Sequence, residues 1–281
     1  MPSDTAVLEQ VLEQIDSPWG VPFDGSLQAA PADFTPPVGT GSCKDLLVAS
    51  RRSIRPDQRK LYAAKQFSVL LVFQALDAAG KDGVIREVFE DLDPVNVQVV
   101  SFKRPTEREL RHDFLWRINR ALPERGEIAV FNRSHYEEVL TVRVHPEYLD
   151  AQYPGPQPEA EALWPARYGA IREFERRLAA SNTLILKFWL NVSPAKQAQR
   201  FLERLDDPKK RWKFSLGDVR ESTFRAAYDE ALMHMLNETS RPWAPWFCIP
   251  ADDRWYLRWQ IAEIVRQALA ALPLTYPPVD E

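Results

Sequence analysis

A seven-residue apolar run at residues 67–73 (FSVLLVF) is followed by a glycine–lysine pair, and this order restricts the folds open to the chain. A continuous run of this length is typical of a strand buried on both faces of a sheet. Gly80 and Lys81 lie where the phosphate-binding pattern G-x-x-x-x-G-K-[ST] has them, but Ala75 replaces the first glycine and Asp82 the hydroxyl residue. The segment is therefore either a phosphate site that holds its metal ion differently or a coincidental helix start.

Apolar segments alternate with helical patterns along most of the chain. Further strands are predicted at 95–102, 127–132, 183–192 and 246–250, and helices at 80–92, 106–122, 162–180 and 254–272. The helix at 106–122 begins with a capping box formed by Thr106 and Glu109. This alternation favours an α/β fold whose parallel sheet is covered by helices on both faces. Such sheets bind ligands at the carboxyl ends of their strands.

Composition restricts the partners and the compartment. The chain has 281 residues and a formal net charge of −4, so an anion site must come from local clustering of basic residues. Two distant cysteines and four scattered histidines argue against a zinc site and fit a reducing cytoplasm. The N-terminus lacks the apolar core of a signal peptide, and no run is long enough to cross a membrane. Residues 1–50 are predicted to form an extended, proline-rich and glycine-rich arm.

The loop before the first helix has the chemistry of a phosphate site. Backbone N–H groups at a helix N-terminus attract anions, and Lys81 adds a positive charge. Gly80 and Gly83 let the backbone approach a ligand closely. Asp77 would repel phosphate unless a magnesium ion lies between them, and it could also accept a proton. The alternative, that Asp77 merely caps the helix, stays open at this point.

A second polar cluster follows the third predicted strand. Arg133 can contact two phosphate oxygens at once, whereas Asn132 is a neutral ligand where a magnesium-binding aspartate is usual. Glu137 could supply the missing carboxylate. Alternatively, Arg133 pairs with a carboxylate such as Glu137 or Glu138. The histidines are expected to be structural, including His112, His135, His145 and His234.

Residues 193–225 carry an excess of basic over acidic side chains. Ser193 and Pro194 begin a helix on which Arg200 and Arg204 share a face. A basic run with interleaved aromatic residues follows: Lys209, Lys210, Arg211, Trp212, Lys213 and Phe214. The segment is predicted to be a mobile lid that closes on a highly charged ligand and expels water. The alternative is a solvated helical hairpin stabilised by ion pairs.

Several long motifs resemble the type-2 polyphosphate kinase family, namely LDAAGKDG, FNRSHYEEVLTVRVHPE and RFLERLDDPKKRWKFS. The resemblance covers about residues 54–272, and the FNRSHYEEVL motif with Asn132 is similar to the class III branch. It implies a three-layer P-loop kinase fold with a central five-stranded parallel sheet. It also implies a kinase domain at residues 51–281 and a helical lid at about 194–225.

The resemblance further implies reversible transfer of the terminal phosphate of inorganic polyphosphate to AMP and ADP, with Mg²⁺ or alternatively Mn²⁺ as cofactor. Asp77, Lys81 and Arg133 are the implied catalytic residues, and Asp77 is also the metal ligand. Asn132 and Glu137 are assigned to the nucleotide. The residues assigned to phosphate binding are Ala78, Ala79, Gly80, Asp82, Gly83, Arg200, Arg204, Lys209 and Lys213.

Other implications concern partners and rival functions. The protein is expected to bind AMP, ADP and ATP, to associate as a dimer or tetramer, and to bind neither nucleic acid nor membrane. Ala75 departs from the family pattern, so a slightly altered loop is expected there. An ATP-dependent nucleotide or small-molecule kinase on the same fold is one rival function. A sensor that binds polyanions or nucleotides without turnover is another.

Overall fold

Five parallel strands form one sheet in the computed structural model, which describes residues 5–25, 32, 34–153 and 155–278. The strands are β1 (Ser68–Gln74), β2 (Val97–Ser101), β3 (Ile128–Asn132), β4 (Thr183–Asn191) and β5 (Trp246–Pro250). Their order is β2-β3-β1-β4-β5, and every neighbouring pair is parallel. The predicted α/β fold with five parallel strands is therefore confirmed, and β1 lies at its centre.

Helices cover both faces of this sheet. In chain order they are α1 (Ala6–Glu13), α2 (Thr40–Ala64), α3 (Lys81–Val88), α4 (Glu107–Leu110), α5 (Trp116–Asn119), α6 (Thr141–Val144), α7 (Ala160–Ala180), α8 (Pro194–Asp206), α9 (Leu216–Ser222), α10 (Arg225–Thr239) and α11 (Arg254–Ala271). Within the described parts of the chain, none of these helices is long and apolar enough to span a membrane.

The continuous apolar run of β1 is explained by burial on both sides. Val69, Leu71 and Phe73 belong to one core cluster, whereas Leu70 and Val72 belong to the other. Successive side chains of a strand point to opposite faces, so a strand with a core on each face needs apolar residues at every position. The helices α2, α3 and α11 pack together on the first face, and α7 and α10 pack on the second.

The predicted single helix at 106–122 is wrong, because the structure has two short helices, α4 and α5, in this range. The capping box of Thr106 and Glu109 is present. The break comes at Asp113, whose side-chain Oδ1 accepts a hydrogen bond from the backbone N–H of Leu115 at 2.9 Å. Aspartate competes with the helical hydrogen-bond pattern in this way, and the chain turns instead of continuing.

The N-terminal arm lies over the domain where it is described. Beside the sheet edge, the backbone N–H of Cys248 donates to the carbonyl of Trp19 at 2.9 Å, and that of Val21 donates to the carbonyl of Trp246 at 2.9 Å. The arm thus covers the outer edge of β5, a position that would otherwise expose unpaired backbone groups. Residues 1–4, 26–31 and 33 of the arm lie outside the described residues. The predicted arm is not extended throughout, because residues 6–13 form α1 and residues 40–50 belong to α2. The division at residue 50 stays a prediction.

A buried charged cluster joins the second face of the sheet to its helices. The Nζ of Lys187, a fully buried residue of β4, donates to Glu175 Oε2 at 2.6 Å, to Tyr136 Oη at 2.8 Å and to the Thr239 carbonyl at 2.8 Å. Tyr136 in turn donates to Glu175 Oε1 at 2.6 Å. Because Tyr136 follows Arg133 by three residues, the cluster anchors the turn that holds part of the site.

Replacement of Lys187 by methionine is expected to destabilise the fold strongly. The variant leaves the Glu175 carboxylate buried without its cation, which costs about 3–5 kcal/mol in comparable proteins. Urea unfolding of the parent and of Lys187→Met measures this loss. The double variant Lys187→Met/Glu175→Leu removes the unpaired charge and should recover much of the stability. Equal unfolding midpoints for the parent and the single variant would contradict the role of the cluster.

Candidate active site

The loop between β1 and α3 has the backbone of a tight anion-binding turn. Gly80, the N-cap of α3, has φ 98°, a left-handed conformation that favours glycine. Ala78 also lies in the left-handed region, with φ 62°. Ala75 is not among the described residues with positive φ, so alanine at this position needs no unusual backbone. The left-handed backbone that is unusual for alanine is therefore found at Ala78 and not at Ala75.

Lys81 folds back over the loop from the first turn of α3. Its Nζ donates to the carbonyl of Ala75 at 2.8 Å. Burial, and then the nearby charge of Arg133, lower the pKa of Lys81 to about 8, against the opposing effect of Asp77. Near neutral pH the charged form of Lys81 is therefore only moderately favoured over the neutral form. An anion bound at the loop would stabilise the charged form.

Arg133 lies between two carboxylates at the end of β3. Its Nη2 is 2.7 Å from Asp77 Oδ1, and its Nη1 is 3.1 Å from Glu137 Oε2. Its backbone N–H donates to the carbonyl of Phe73 at 3.0 Å, which ties this turn to the end of β1. The alternative that Arg133 pairs with Glu137 is confirmed, with Asp77 as a second partner. Asp77 makes no side-chain cap on α3, so the proposed capping role is wrong.

Asp82 connects the loop to β3 and to the basic segment. The Nδ2 of Asn132 donates to Asp82 Oδ1 at 3.0 Å, and Lys213 Nζ lies 3.5 Å from Asp82 Oδ2. Burial alone raises the pKa of Asp82, but the hydrogen bond from Asn132 and the charge of Lys213 outweigh it, and the pKa falls below its usual value. Asp82 is therefore ionised, and it links Asn132 at the end of β3 to Lys213 of the basic segment.

The basic segment at 193–225 is helical and rests on the phosphate loop. Ser193 caps α8 by accepting from the backbone N–H of Lys196. Arg200 donates to the loop carbonyls of Ala78 and Ala79, at 3.2 and 2.9 Å, and to the carbonyl of Ala251 at 2.7 Å. Its guanidinium therefore supports the loop backbone, a role that the sequence analysis missed.

The rest of the segment is joined by ion pairs. Arg204 Nη1 lies 3.1 Å from Asp218 Oδ2 of α9, which brings α8 and α9 together. The alternative of an ion-paired helical hairpin therefore describes this part of the segment.

A cleft of about 590 Å³ opens above the loop. Nine basic and three acidic side chains line it, and the basic ones are Lys81, Lys103, Arg133, Arg200, Arg204, Lys210, Lys213, Arg254 and Arg258. Of the predicted site residues, Lys209 does not line the cleft, and Glu137 lies in the neighbouring cavity. The sequence analysis missed Lys103, Arg254 and Arg258. A signal was available for Lys103, which directly follows the strand predicted at 95–102, but not for Arg258, which lies eight residues beyond the last predicted strand.

A second cavity, of about 540 Å³, adjoins the basic cleft and has a different character. Most of its exposed wall area is apolar, with Phe102, Leu110 and Val142 among the lining residues. Charged side chains also line it, including Arg104, Arg117, Glu138 and Asp150. Phe102, Lys103 and Arg133 line both spaces, so the two cavities meet beside the Arg133 guanidinium.

The carboxylates near Asp77 suit a magnesium ion that is shared with phosphate. Among the residues that the structure describes, no group of three or more His, Cys, Asp or Glu side chains could hold a metal ion alone. Magnesium, however, usually takes one or two carboxylates together with phosphate oxygens and water. Asp77 is partly exposed at the loop, and a small cavity beside it is also lined by Glu137, Asp218 and Glu221. One or two carboxylates from this set, with Asp77 as the first, would suffice for such a shared ion.

Comparisons with known proteins agree in sequence and in structure. The family model "Polyphosphate kinase 2 (PPK2)" matches residues 43–274. An ADP-polyphosphate phosphotransferase of Rhodopseudomonas palustris is 47% identical over 78% of this chain and 76% of its own length. An AMP/ADP-polyphosphate phosphotransferase of Meiothermus ruber is 45% identical over 85% of each chain. The crystal structure of polyphosphate kinase 2 from Arthrobacter aurescens TC1 superposes with a TM-score of 0.87 at 37% identity, over 95% of this chain and 94% of that one.

The pKa of Lys81 predicts a pH dependence of anion binding. The ammonium form predominates below pH 8 and is lost above it, so its contribution to affinity should fall by up to about tenfold per pH unit above that value. Calorimetric titration with tripolyphosphate at pH 7 and pH 9 measures the change. Comparison with Lys81→Met at each pH cancels titration of the ligand itself. A ratio of parent to variant affinity that is equal at both pH values would contradict this assignment.

Proposed function

The chain belongs to the polyphosphate kinase 2 family, and on this basis we propose that it transfers the terminal phosphate of inorganic polyphosphate to AMP and ADP. It is a phosphate-transferring enzyme, and the products are ADP and ATP in a reversible reaction. The main structural support for the proposal is that a basic cleft and an apolar cavity lie side by side, with Arg133 lining both. One space suits a polyanion and the other suits a nucleoside.

The basic cleft is the better place for the phosphate donor. The chain as a whole is negatively charged, yet nine basic side chains line this one cleft. Polyphosphate carries a charge on every unit, so its binding needs such a local concentration of cations. The terminal unit lies over residues 79–83, where Lys81 and the N-terminus of α3 face it. Arg200 keeps the loop in this shape through its bonds to the loop carbonyls.

The neighbouring cavity is the better place for the nucleoside of the acceptor. A volume of about 540 Å³ with aromatic and aliphatic walls suits a base and a ribose. From there the acceptor phosphate would reach Arg133, which lines both spaces. Both AMP and ADP are proposed acceptors, and the names of the two bacterial relatives, which specify ADP and AMP/ADP, support this choice.

In phosphoryl transfer the protein mainly aligns the donor and the acceptor and neutralises the charge of the phosphate groups. Arg133 is held by Asp77 and Glu137 in a position to orient the oxygens of donor and acceptor. Lys81 neutralises charge on the transferred group. Asp77, aided by neighbouring carboxylates, would hold Mg²⁺, which supplies further neutralisation when bound. Closure of α8 and α9 over the cleft would exclude water and prevent hydrolysis of the donor.

Product analysis tests the donor directly. Purified protein with Mg²⁺, AMP and polyphosphate, and with no nucleoside triphosphate, should form ADP and then ATP, as measured by anion-exchange chromatography. Lys81→Met serves as the control for contaminating activities. Phosphate transfer that occurs only when ATP is supplied would identify an ATP-dependent kinase instead. Binding of both substrates without any transfer would identify a sensor. Assembly as a dimer or tetramer, a cytoplasmic location and the use of Mn²⁺ stay predictions.

A further inference from the structure

Two arginines at the beginning of α11 line the basic cleft. Arg254 is the first residue of this helix, and Arg258 follows four residues later. Residues with this spacing lie on one face of a helix, separated by about 6 Å along its axis. Neither arginine lines the apolar cavity proposed for the nucleoside. The pair therefore extends the basic surface at a place separate from the acceptor.

Arg258 is a buried cation with incomplete pairing. Its residue is 8% exposed, and its Nε has no hydrogen-bond partner. Its ion-pair partner is Glu87, whose Oε1 lies at the long distance of 3.9 Å from Nη2. The guanidinium lies over the ring of Trp255, 4.4 Å from the centroid. A charged donor held away from water without a close partner costs free energy, and an anionic ligand would remove this cost.

The phosphate loop is shaped to let Arg258 approach. A Cβ atom at Gly83 would lie 3.2 Å from Arg258 Nη2, which is closer than most side chains tolerate. The absence of a side chain at Gly83 therefore leaves room for the guanidinium beside the first turn of α3. A larger residue would push Arg258 away from the loop.

Arg254 continues the line of positive charge. It is exposed, and among the described residues it has no ion-pair partner within 4 Å. Burial, and then the charge of Arg254, lower the pKa of Arg200, so Arg254 lies close enough to act on the residue that supports the loop. Basic side chains outnumber acidic ones along the cleft, so the positive charges of Arg200, Arg254 and Arg258 repel one another, and a polyanion lying across them would offset this repulsion.

We propose that Arg254 and Arg258 bind phosphate groups of polyphosphate beyond the one that is transferred, and thereby favour long chains over short ones. This inference rests on the proposed function. The chain of the donor runs from the phosphate loop, past Arg200, to the beginning of α11. A short polyphosphate would occupy the loop without engaging both arginines, whereas a long one would engage the whole line.

Steady-state kinetics with two donors of different length test the inference. Arg254→Gln, Arg258→Gln and the double variant are compared with the parent on long-chain polyphosphate and on tripolyphosphate. The double variant should raise KM for the long chain at least about tenfold more than KM for tripolyphosphate, since losing one hydrogen bond between charged groups already weakens binding by about that factor. The slope of log KM against log salt concentration should fall by about one per arginine removed.

Three controls separate recognition from folding. Arg176→Gln removes an arginine of α7 that does not line the cleft and should leave both KM values unchanged. Arg254→Gln alters an exposed side chain and carries little risk of misfolding, which thermal unfolding checks. Arg258→Lys keeps the charge and should recover part of the preference for long chains.

The outcomes are distinguishable from those of the proposed function. If the parent uses both donors and the variants raise KM equally for both, or for neither, the inference is wrong and the proposed function stands. If the parent uses no polyphosphate at all, the proposed function fails and this inference fails with it.

Discussion

The site depends on one guanidinium held between two carboxylates. Arg133 contacts Asp77 from the loop after β1 and Glu137 from the turn after β3, so a single side chain fixes the two polar clusters relative to each other. Arg133 also balances the negative charge of Asp77, which lies inside a loop that binds anions. Without a cation beside it, Asp77 would repel the phosphate that Lys81 and the α3 N-terminus attract. Arg133 provides that cation, and the Mg²⁺ proposed above would provide a second one when phosphate is bound.

The parallel sheet places these groups within reach of one another. β1 lies between β3 and β4, and all five strands end at the same edge. The loop after β1 therefore meets Asn132 and Arg133 on one side, through Asp82 and Asp77. On the other side it meets Arg200 of α8, whose guanidinium joins the loop carbonyls to the segment after β5. Four strand ends thus build one charged surface, although their residues are far apart in the sequence.

Features that depend on local patterns could be predicted from the sequence. The five predicted strands match the observed ones to within two residues at each end, since their apolar runs reflect burial on both faces. Glycine at position 80 and the cap at Ser193 were equally visible. The helix predicted at 106–122 failed because one side-chain hydrogen bond of Asp113 interrupts an otherwise helical pattern.

Features that depend on distant contacts could not be predicted in this way. The sequence indicated that Arg200 is basic and lies on a helix, but not that its donors are used by backbone carbonyls of the loop. The pairing of Arg133 with Asp77 joins residues 56 positions apart. The contribution of α11 to the cleft likewise depends on the order of the strands, because it brings the segment after β5 beside the loop after β1. The sequence shows that these arginines are charged, but their contacts, and therefore their roles, depend on the three-dimensional fold.

The central claim is that Asp77 belongs in this anion site because a cation shields it. Turnover of polyphosphate with AMP, measured across a magnesium titration for the parent and for Asp77→Asn, tests this claim most directly. The account predicts that excess chelator abolishes turnover in the parent and that the variant loses at least about 10²-fold in kcat while still binding polyphosphate. Full-rate turnover in excess chelator, or a variant as active as the parent, would contradict it.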